Sequence, residues 1–447
     1  MSVFKAYDVR GTYPDQVDEA LFRQMGRAAV QALKAKSVVV GRDMRQSGVP
    51  LSQALIQGLA DAGADVVDLG MCSTPMLYFG VVHHKAQAGA MVTASHNPAA
   101  YNGCKFCREE AIPVAYGTGL SDIERLARAG GAFAERAGTA QAGDVSAEYR
   151  AHLLKFAAEI KPLTVAVDTG NGVMGAFLPA LFEKLPCELI PLYFEPDGTF
   201  PNHEANPLKA ENLRDLCAKV SETRADLGIA FDGDGDRAMF VDERGQAVPA
   251  DIVTALFARE MLAREPGAAI LYDLRSSKAV PEAVREAGGR PGMTRVGHSF
   301  IKAQMREEQA VFAGELSGHF YWRDLHYTDN AEMAMLTMLS ILSRSGAKLS
   351  DLARPLQRYH ASGELNFTVD DTAAALKRIE EALAPEAGQI LRLDGVSFVA
   401  QAWWANFRPS NTEPVLRLNL EADTAGLLAE RRERLTALIG GRPAEGH

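Results

Sequence analysis

Four short segments of this 447-residue chain combine side chains whose types and spacing could do chemistry. The densest is Asp232-Gly233-Asp234-Gly235-Asp236-Arg237. Three carboxylates at alternate positions repel one another unless a cation sits between them, and an all-oxygen donor set suits a hard ion such as Mg2+ or Ca2+. A calcium-binding EF-hand shares this Asp spacing and would place Glu243 at its last ligand position. It also requires glycine where Arg237 stands, and the flanks Leu227–Phe231 and Ala238–Asp242 read as strands rather than helices, so an EF-hand is excluded.

The second segment is Thr93-Ala94-Ser95-His96-Asn97-Pro98, a sharp turn after the apolar run Gly89–Val92 that offers the Ser95 hydroxyl. It lacks the Gly-x-Ser-x-Gly elbow of the α/β-hydrolases. The third, Gly314-Glu315-Leu316-Ser317-Gly318-His319, places a carboxylate, a hydroxyl and an imidazole on one loop. Glu315 with Ser317 suits the vicinal hydroxyls of a sugar, and His319 is a candidate acid or base. In the fourth, Arg408-Pro409-Ser410-Asn411-Thr412-Glu413-Pro414, a guanidinium beside hydroxyls and loop N–H groups makes a cradle for phosphate. Each segment alone also reads as an ordinary strand-end turn or polar loop. Together they supply a hydroxyl carrier, a metal loop, a sugar grip and an anion clamp, the parts that phosphoryl transfer needs in position.

The elements that must hold these loops alternate short apolar strands with helices. Strands are expected at Ser37–Val40, Ala64–Leu69, Thr164–Asp168, Asp226–Phe231 and Ala268–Leu274, and a helix at Leu51–Ala62. Each strand ends in a polar or glycine-rich turn, the pattern of α/β layers with mixed or mostly parallel sheets, where ligands gather at strand C-terminal ends. Ala129–Gly143 reads as a linker, Val145–Glu159 as a helix, and Asp242–Gly245 as a hairpin turn. From about 360 the pattern becomes α+β, with strands at Glu364–Val369, Gly395–Ala402 and Val415–Glu421 and helices at Thr372–Leu383 and from Thr424. The expected domains are 1–143, 144–245, 246–357 and 358–447.

Composition narrows the classes. With 47% hydrophobic and 23% charged residues the chain is globular, not disordered or fibrous. Its net charge of −10 argues against non-specific nucleic-acid binding, while a local Arg and Lys cluster could still hold anionic small molecules. No apolar run is long enough for a membrane span, and the N-terminus does not read as a secretory signal, so a cytoplasmic location is expected. Five cysteines, an odd number, do not form a disulfide framework, and Cys104-Lys105-Phe106-Cys107 has no second C-x-x-C or suitably spaced histidines to complete a zinc site.

In order and spacing, TASHNP, DGDGDR, GELSGH and RPSNTEP resemble the signature loops of the α-D-phosphohexomutases, the phosphomannomutase and phosphoglucomutase enzymes, over essentially the whole chain. The resemblance implies a heart-shaped, four-domain protein: three similar mixed α/β domains and a C-terminal α+β domain. It implies that Ser95 carries the phosphoryl group, that Asp232, Asp234 and Asp236 hold one Mg2+ that also contacts Ser95, and that Arg237 neutralises charge nearby. It gives Glu315 and Ser317 the sugar hydroxyls, and Arg408, Ser410, Asn411 and Thr412 the non-reacting phosphate. Tyr7 and Arg10 resemble the family's N-terminal stretch, and Lys105 falls in its Asn-Gly-x-Lys segment, making Lys105 and His319 the two acid/base candidates. His298 and Lys302 resemble a further cleft-facing loop, and Arg275 stands where some members carry lysine. The activity implied is interconversion of mannose 6-phosphate and mannose 1-phosphate through a bound 1,6-bisphosphate, with hexose 1,6-bisphosphate as activator. Leu316 counts against glucosamine phosphates, where glutamine is usual. A phosphoglucomutase and a non-catalytic phosphosugar-binding protein are the alternatives. The expected partners are small phosphosugars, with no nucleic acid or membrane, in a monomer or dimer.

Overall fold

The computed structural model of the protein describes residues 2–157, 159–409 and 415–444. The chain packs as two compact units, one of residues 1–250 with 297–351, the other of residues 251–296 with 352–447.

The first unit contains two mixed sheets. One runs, in spatial order, Val9–Thr12, Tyr101–Arg108, Ala88–Val92, Ser37–Arg42, Asp65–Met71 and Ala140–Ala142. Ser37–Arg42 pairs in parallel with both Asp65–Met71 and Ala88–Val92, whereas Tyr101–Arg108 is antiparallel to its neighbours. All five residues of Ala88–Val92 are buried, which is why this strand reads as a continuous apolar run rather than an alternation. The helix Gly48–Asp61 buries Leu51, Leu55 and Leu59, four residues apart and therefore on one face. Each such leucine contributes about 2 kcal/mol from burial. The segment expected as a linker supplies the edge strand Ala140–Ala142. The helix expected over Val145–Glu159 is shorter, Ser146–Leu153 followed by one tight turn, Leu154–Phe156.

The second sheet runs Ala247–Val248, Ala238–Val241, Leu227–Phe231, Thr164–Asp168 and Glu188–Leu192. Leu227–Phe231 and Ala238–Val241 are antiparallel, so the acidic loop is the connection of a hairpin. Asp242–Gly245 turns the chain into Ala247–Val248, as its sequence predicts. A further antiparallel set, Phe312–Gly314, Phe320–Trp322 and Thr328–Asp329, carries the Glu315–His319 loop.

The second unit holds the parallel pair Ala269–Asp273 and Arg290–Thr294 and a six-stranded antiparallel sheet formed by residues 360–444. Its helix Thr372–Leu383 starts where the Asp371 carboxylate accepts the Ala374 N–H, and it buries Ala375, Ile379 and Leu383 on one face. Their core partners include Phe398, Phe407, Leu416 and Leu418. The strand expected at Glu364–Val369 is the second half of a longer one, His360–Thr368.

Candidate active site in the first unit

Ser95 follows the strand Ala88–Val92 in a turn and adopts the left-handed conformation, φ 50°, that a residue with a Cβ rarely visits. The surroundings that hold it there are tight. Its N–H donates to Thr93 Oγ1 at 2.8 Å, and its hydroxyl donates to Asp232 Oδ2 at 2.8 Å. His96 Nδ1 lies 3.2 Å from the same hydroxyl, and burial followed by the charge of Arg237 holds that imidazole neutral, well below its ordinary pKa.

The acidic loop is built for this approach. A Cβ on Gly233 would stand 2.6 Å from the Ser95 carbonyl oxygen, so only glycine lets the two loops close. Gly235 has φ 75°, and a Cβ there would meet Met174 Sδ at 2.4 Å. Asp232, Asp234 and Asp236 are all buried and offer one oxygen each within 4.8 Å of one another. Asp234 Oδ1 is buried without a hydrogen-bond partner, and Thr74 Oγ1 donates to Asp234 Oδ2 at 2.7 Å. A buried three-oxygen cluster with an orphaned lone pair fits a hard divalent cation.

The electrostatics divide the cluster. Lys105, on the strand Tyr101–Arg108, places Nζ 2.8 Å from Asp234 Oδ2 and 2.6 Å from Asp236 Oδ2. Burial and the Asp236 charge push Asp234 up, but Lys105 outweighs them and leaves it below the ordinary carboxylate range. Asp236, opposed by burial, is pulled well down by Lys105 and His319. Asp232 feels that ammonium only at a distance, and burial with its two acidic neighbours pushes it well up. Burial works against the Lys105 ammonium, yet Asp234 and Asp236 hold its proton more tightly than usual.

His319 stands on the far side of Asp236. Its Nε2 is 3.2 Å from Asp236 Oδ1, and its Nδ1 is 3.1 Å from Glu315 Oε2 and 2.8 Å from Ser317 Oγ. Burial and Arg237 oppose a proton there, but the two carboxylates prevail and push the imidazole up to about 9. Arg237 Nε lies 3.2 Å from His319 Nε2 and 3.8 Å from Asp232 Oδ2. Glu315 also accepts from Tyr321 Oη at 2.9 Å and from the Gly297 N–H at 3.2 Å. Both carboxylate oxygens of this buried residue are thus engaged by the protein.

Three further predicted residues border these groups. Arg10 donates to Asn97 Oδ1 at 2.7 Å and pairs with Asp8 at 2.6 Å, tying the N-terminal strand to the Ser95 turn. The Tyr7 ring meets His298 edge-on at 5.4 Å, and His298 is 6.4 Å from His319. Burial, followed by Lys302, keeps His298 neutral. Lys302 departs from expectation: it is fully buried, 3.0 Å from Asp329 and over the Tyr78 ring, because an ammonium at this depth needs a carboxylate and a π face. Cys104 and Cys107 are buried free thiols on one strand, both with raised pKa, which makes them inert packing groups.

In the second unit Arg275 forms a two-toothed pair with Asp273, and Arg408 Nη2 lies 3.2 Å from Glu364 Oε2. Arg275 and Arg417 approach the same Glu364 at 3.7 and 3.9 Å. The expected phosphate ligands Ser410, Asn411 and Thr412 lie outside the described residues. Sequence reasoning missed Asp43, Arg45, Thr74 and Thr93, which brace Ser95 or Asp234 from behind. The signal was Gly41-Arg42-Asp43-Met44-Arg45, an ion pair placed in the turn after an apolar strand.

Comparison with known proteins follows the same four segments. Family models of phosphoglucomutase/phosphomannomutase match as α/β/α domain I over residues 1–130, domain II over 147–245, domain III over 249–359 and the C-terminal domain over 364–438. A protein of Xanthomonas campestris named among the phosphohexose mutases is 40% identical over 447 residues, covering 99% of this chain and 100% of its own. A phosphomannomutase of Escherichia coli is 39% identical over 445 residues, 97% of this chain and 98% of its own. The crystal structure of a phosphoglucomutase/phosphomannomutase family protein from Burkholderia thailandensis superposes with a TM-score of 0.90 at 36% identity, covering 99% of both chains.

Proposed function

This chain belongs to the phosphoglucomutase/phosphomannomutase family, and on that premise we infer that it is a phosphomannomutase working through a phosphorylated Ser95. It is an intramolecular phosphotransferase with the four-domain phosphohexomutase fold. The observation that carries the site reading is the Ser95 hydroxyl, 2.8 Å from Asp232 in the buried three-carboxylate cluster. Asp232, Asp234 and Asp236 would hold Mg2+, which supplies the positive charge that a phosphoserine beside three carboxylates requires.

The reaction balances without water. The phosphoryl group leaves Ser95 for the free hydroxyl of mannose 1-phosphate or mannose 6-phosphate, whose proton must depart. The resulting 1,6-bisphosphate returns its other phosphoryl group to Ser95. Hexose 1,6-bisphosphate accordingly serves as activator by phosphorylating a bare Ser95. Lys105 is committed to two carboxylates, so its part is to hold Asp234 and Asp236 in place. His319 keeps Asp236 on one ring nitrogen and Ser317 and Glu315 on the other, an arrangement suited to shuttling the hydroxyl proton. Arg237 offsets phosphoryl charge, and Tyr7, Arg10 and His298 border the substrate. As the family resemblance implies, Glu315 and Ser317 meet the sugar, and Arg408, Ser410, Asn411 and Thr412, with Arg275, take the phosphate that does not react.

A coupled assay with Mg2+ and a trace of glucose 1,6-bisphosphate tests this reading on mannose 1-phosphate and glucose 1-phosphate. Turnover lost in EDTA and in Ser95→Ala is the expected result, with the higher kcat/KM on the mannose ester. Full turnover in Ser95→Ala would sink the carrier assignment, and a higher kcat/KM on the glucose ester would make the chain a phosphoglucomutase.

A further inference from the structure

Arg45 is a buried charge with none of its side chain exposed, and no step of the reaction above uses it. Its guanidinium donates from Nη2 to the Ser95 carbonyl at 2.9 Å and also to that of Asn97, and from Nη1 to the carbonyls of Pro98 at 2.8 Å and Tyr101 at 2.9 Å. Nε pairs with Asp43 Oδ2 at 3.1 Å, and Asp43 Oδ1 accepts the Arg45 N–H at 3.0 Å. Asp43 Oδ2 also accepts from Thr93 Oγ1 at 2.7 Å, the atom that receives the Ser95 N–H. The Phe200 ring covers the guanidinium at 5.1 Å.

These contacts have a directional consequence. A trans peptide points its N–H opposite to its C=O. With the Ser95 carbonyl drawn onto Arg45, the Ser95–His96 peptide turns its N–H to the other side. Thr93, clamped by Asp43, fixes the peptide before Ser95. Both planes that set the Ser95 Cα–Cβ direction are thus fixed by one ion pair, in a conformation, φ 50°, that Ser95 does not favour by itself. Desolvating a guanidinium this fully is costly, and four carbonyls of one turn are a specific return for it.

We propose that Arg45 is the positioning residue of the Ser95 turn, holding the serine oxygen in line for phosphoryl transfer while taking no part in sugar binding. The proposal rests on the mutase reading above. Misplacing a reacting atom by about 1 Å costs on the order of 100-fold in rate.

The test compares Arg45→Gln, Arg45→Lys and Phe200→Leu, with rates expressed per folded molecule from the unfolding curve of each. Arg45→Gln is expected to lose about 100-fold in kcat with KM for mannose 1-phosphate within about threefold. Arg45→Lys, which keeps the charge but loses the fork, is expected to recover part of kcat. Phe200→Leu uncovers the guanidinium without touching a carbonyl and is expected to lower Tm and leave kcat alone. A kcat for Arg45→Gln within about threefold of the unsubstituted enzyme overturns the proposal, as does a loss carried by KM or an equal loss of kcat in Phe200→Leu. Phosphorylation of Ser95 by glucose 1,6-bisphosphate, followed by intact mass, gives a second rate independent of the hexose monophosphate. An unsubstituted enzyme that is phosphorylated but turns over neither sugar sinks the substrate reading alone. The proposal is then decided by whether Arg45→Gln slows phosphorylation about 100-fold or leaves it unchanged.

Discussion

Replacing Lys105 by methionine keeps the apolar stem and removes one charge, so the loss it causes is electrostatic rather than a cavity effect. Lys105 Nζ sits 2.8 and 2.6 Å from two buried carboxylates, and removing one partner of a buried pair costs about 3–5 kcal/mol. The protein has an escape, because an orphaned carboxylate can take up a proton. From an ordinary value of 3.8 that escape costs about 1.4 kcal/mol per pH unit, about 4 kcal/mol at pH 7 and about 1.6 kcal/mol at pH 5. The sign follows from the depressed values of Asp234 and Asp236 in the intact protein. Their contribution to stability is present above pH 3.8 and is lost as pH falls through their folded pKa values. Lys105→Met removes that contribution, and because the orphaned carboxylate escapes by taking up a proton at a cost that rises with pH, the destabilisation grows from pH 5 to pH 7. Urea unfolding in EDTA at pH 5, 6 and 7 is expected to show a difference rising to about 4 kcal/mol, and excess Mg2+ is expected to narrow it by standing in for the ammonium. A difference below about 1 kcal/mol at pH 7, or one flat with pH, would refute the assignment of Lys105 as the counter-charge of the acidic loop.

Glu332 is buried, leaves Oε2 without a hydrogen bond, and is pushed up to about 7 by burial. A raised carboxyl contributes stability that is full below its unfolded value of 4.5 and lost as pH rises through 7, so Glu332→Gln is expected to gain up to about 3 kcal/mol at pH 8 and nothing at pH 4 in thermal unfolding. Arg408→Gln removes one guanidinium from the cluster around Glu364 and is expected to raise KM for the hexose phosphate about tenfold or more in steady-state kinetics, with a smaller change in kcat.

What the chain disclosed in advance were loops whose residue types are local statements. Ser95 and Asp232 stand 137 positions apart, yet each lies in a turn after an apolar strand, and such turns gather at one end of a sheet. The partners of each charge were less legible, because they depend on which elements meet. Lys105 reads as an acid/base candidate from its motif, whereas two carboxylates occupy it in the structure. Glu315 reads as a sugar grip, and its sequence does not announce that His319, Tyr321 and the Gly297 N–H also engage its two oxygens. Lys302 reads as facing ligand, and its pair Asp329 belongs to a strand that nothing near Lys302 announces. Arg45 was overlooked because its targets are backbone carbonyls, which every sequence possesses.

The division of the chain into two interleaved units also sets an order of assembly during synthesis. Residues 1–250 carry Ser95, Lys105 and the acidic loop, so these parts of the site are synthesised before residue 251 is added. His319 and Glu315 arrive only after segment 251–296, which is grouped with the other unit. The nascent chain therefore passes through a stage in which the carboxylates of the acidic loop have their lysine but not yet their histidine. A pause or a truncation between 297 and 351 would leave both units unfinished at once.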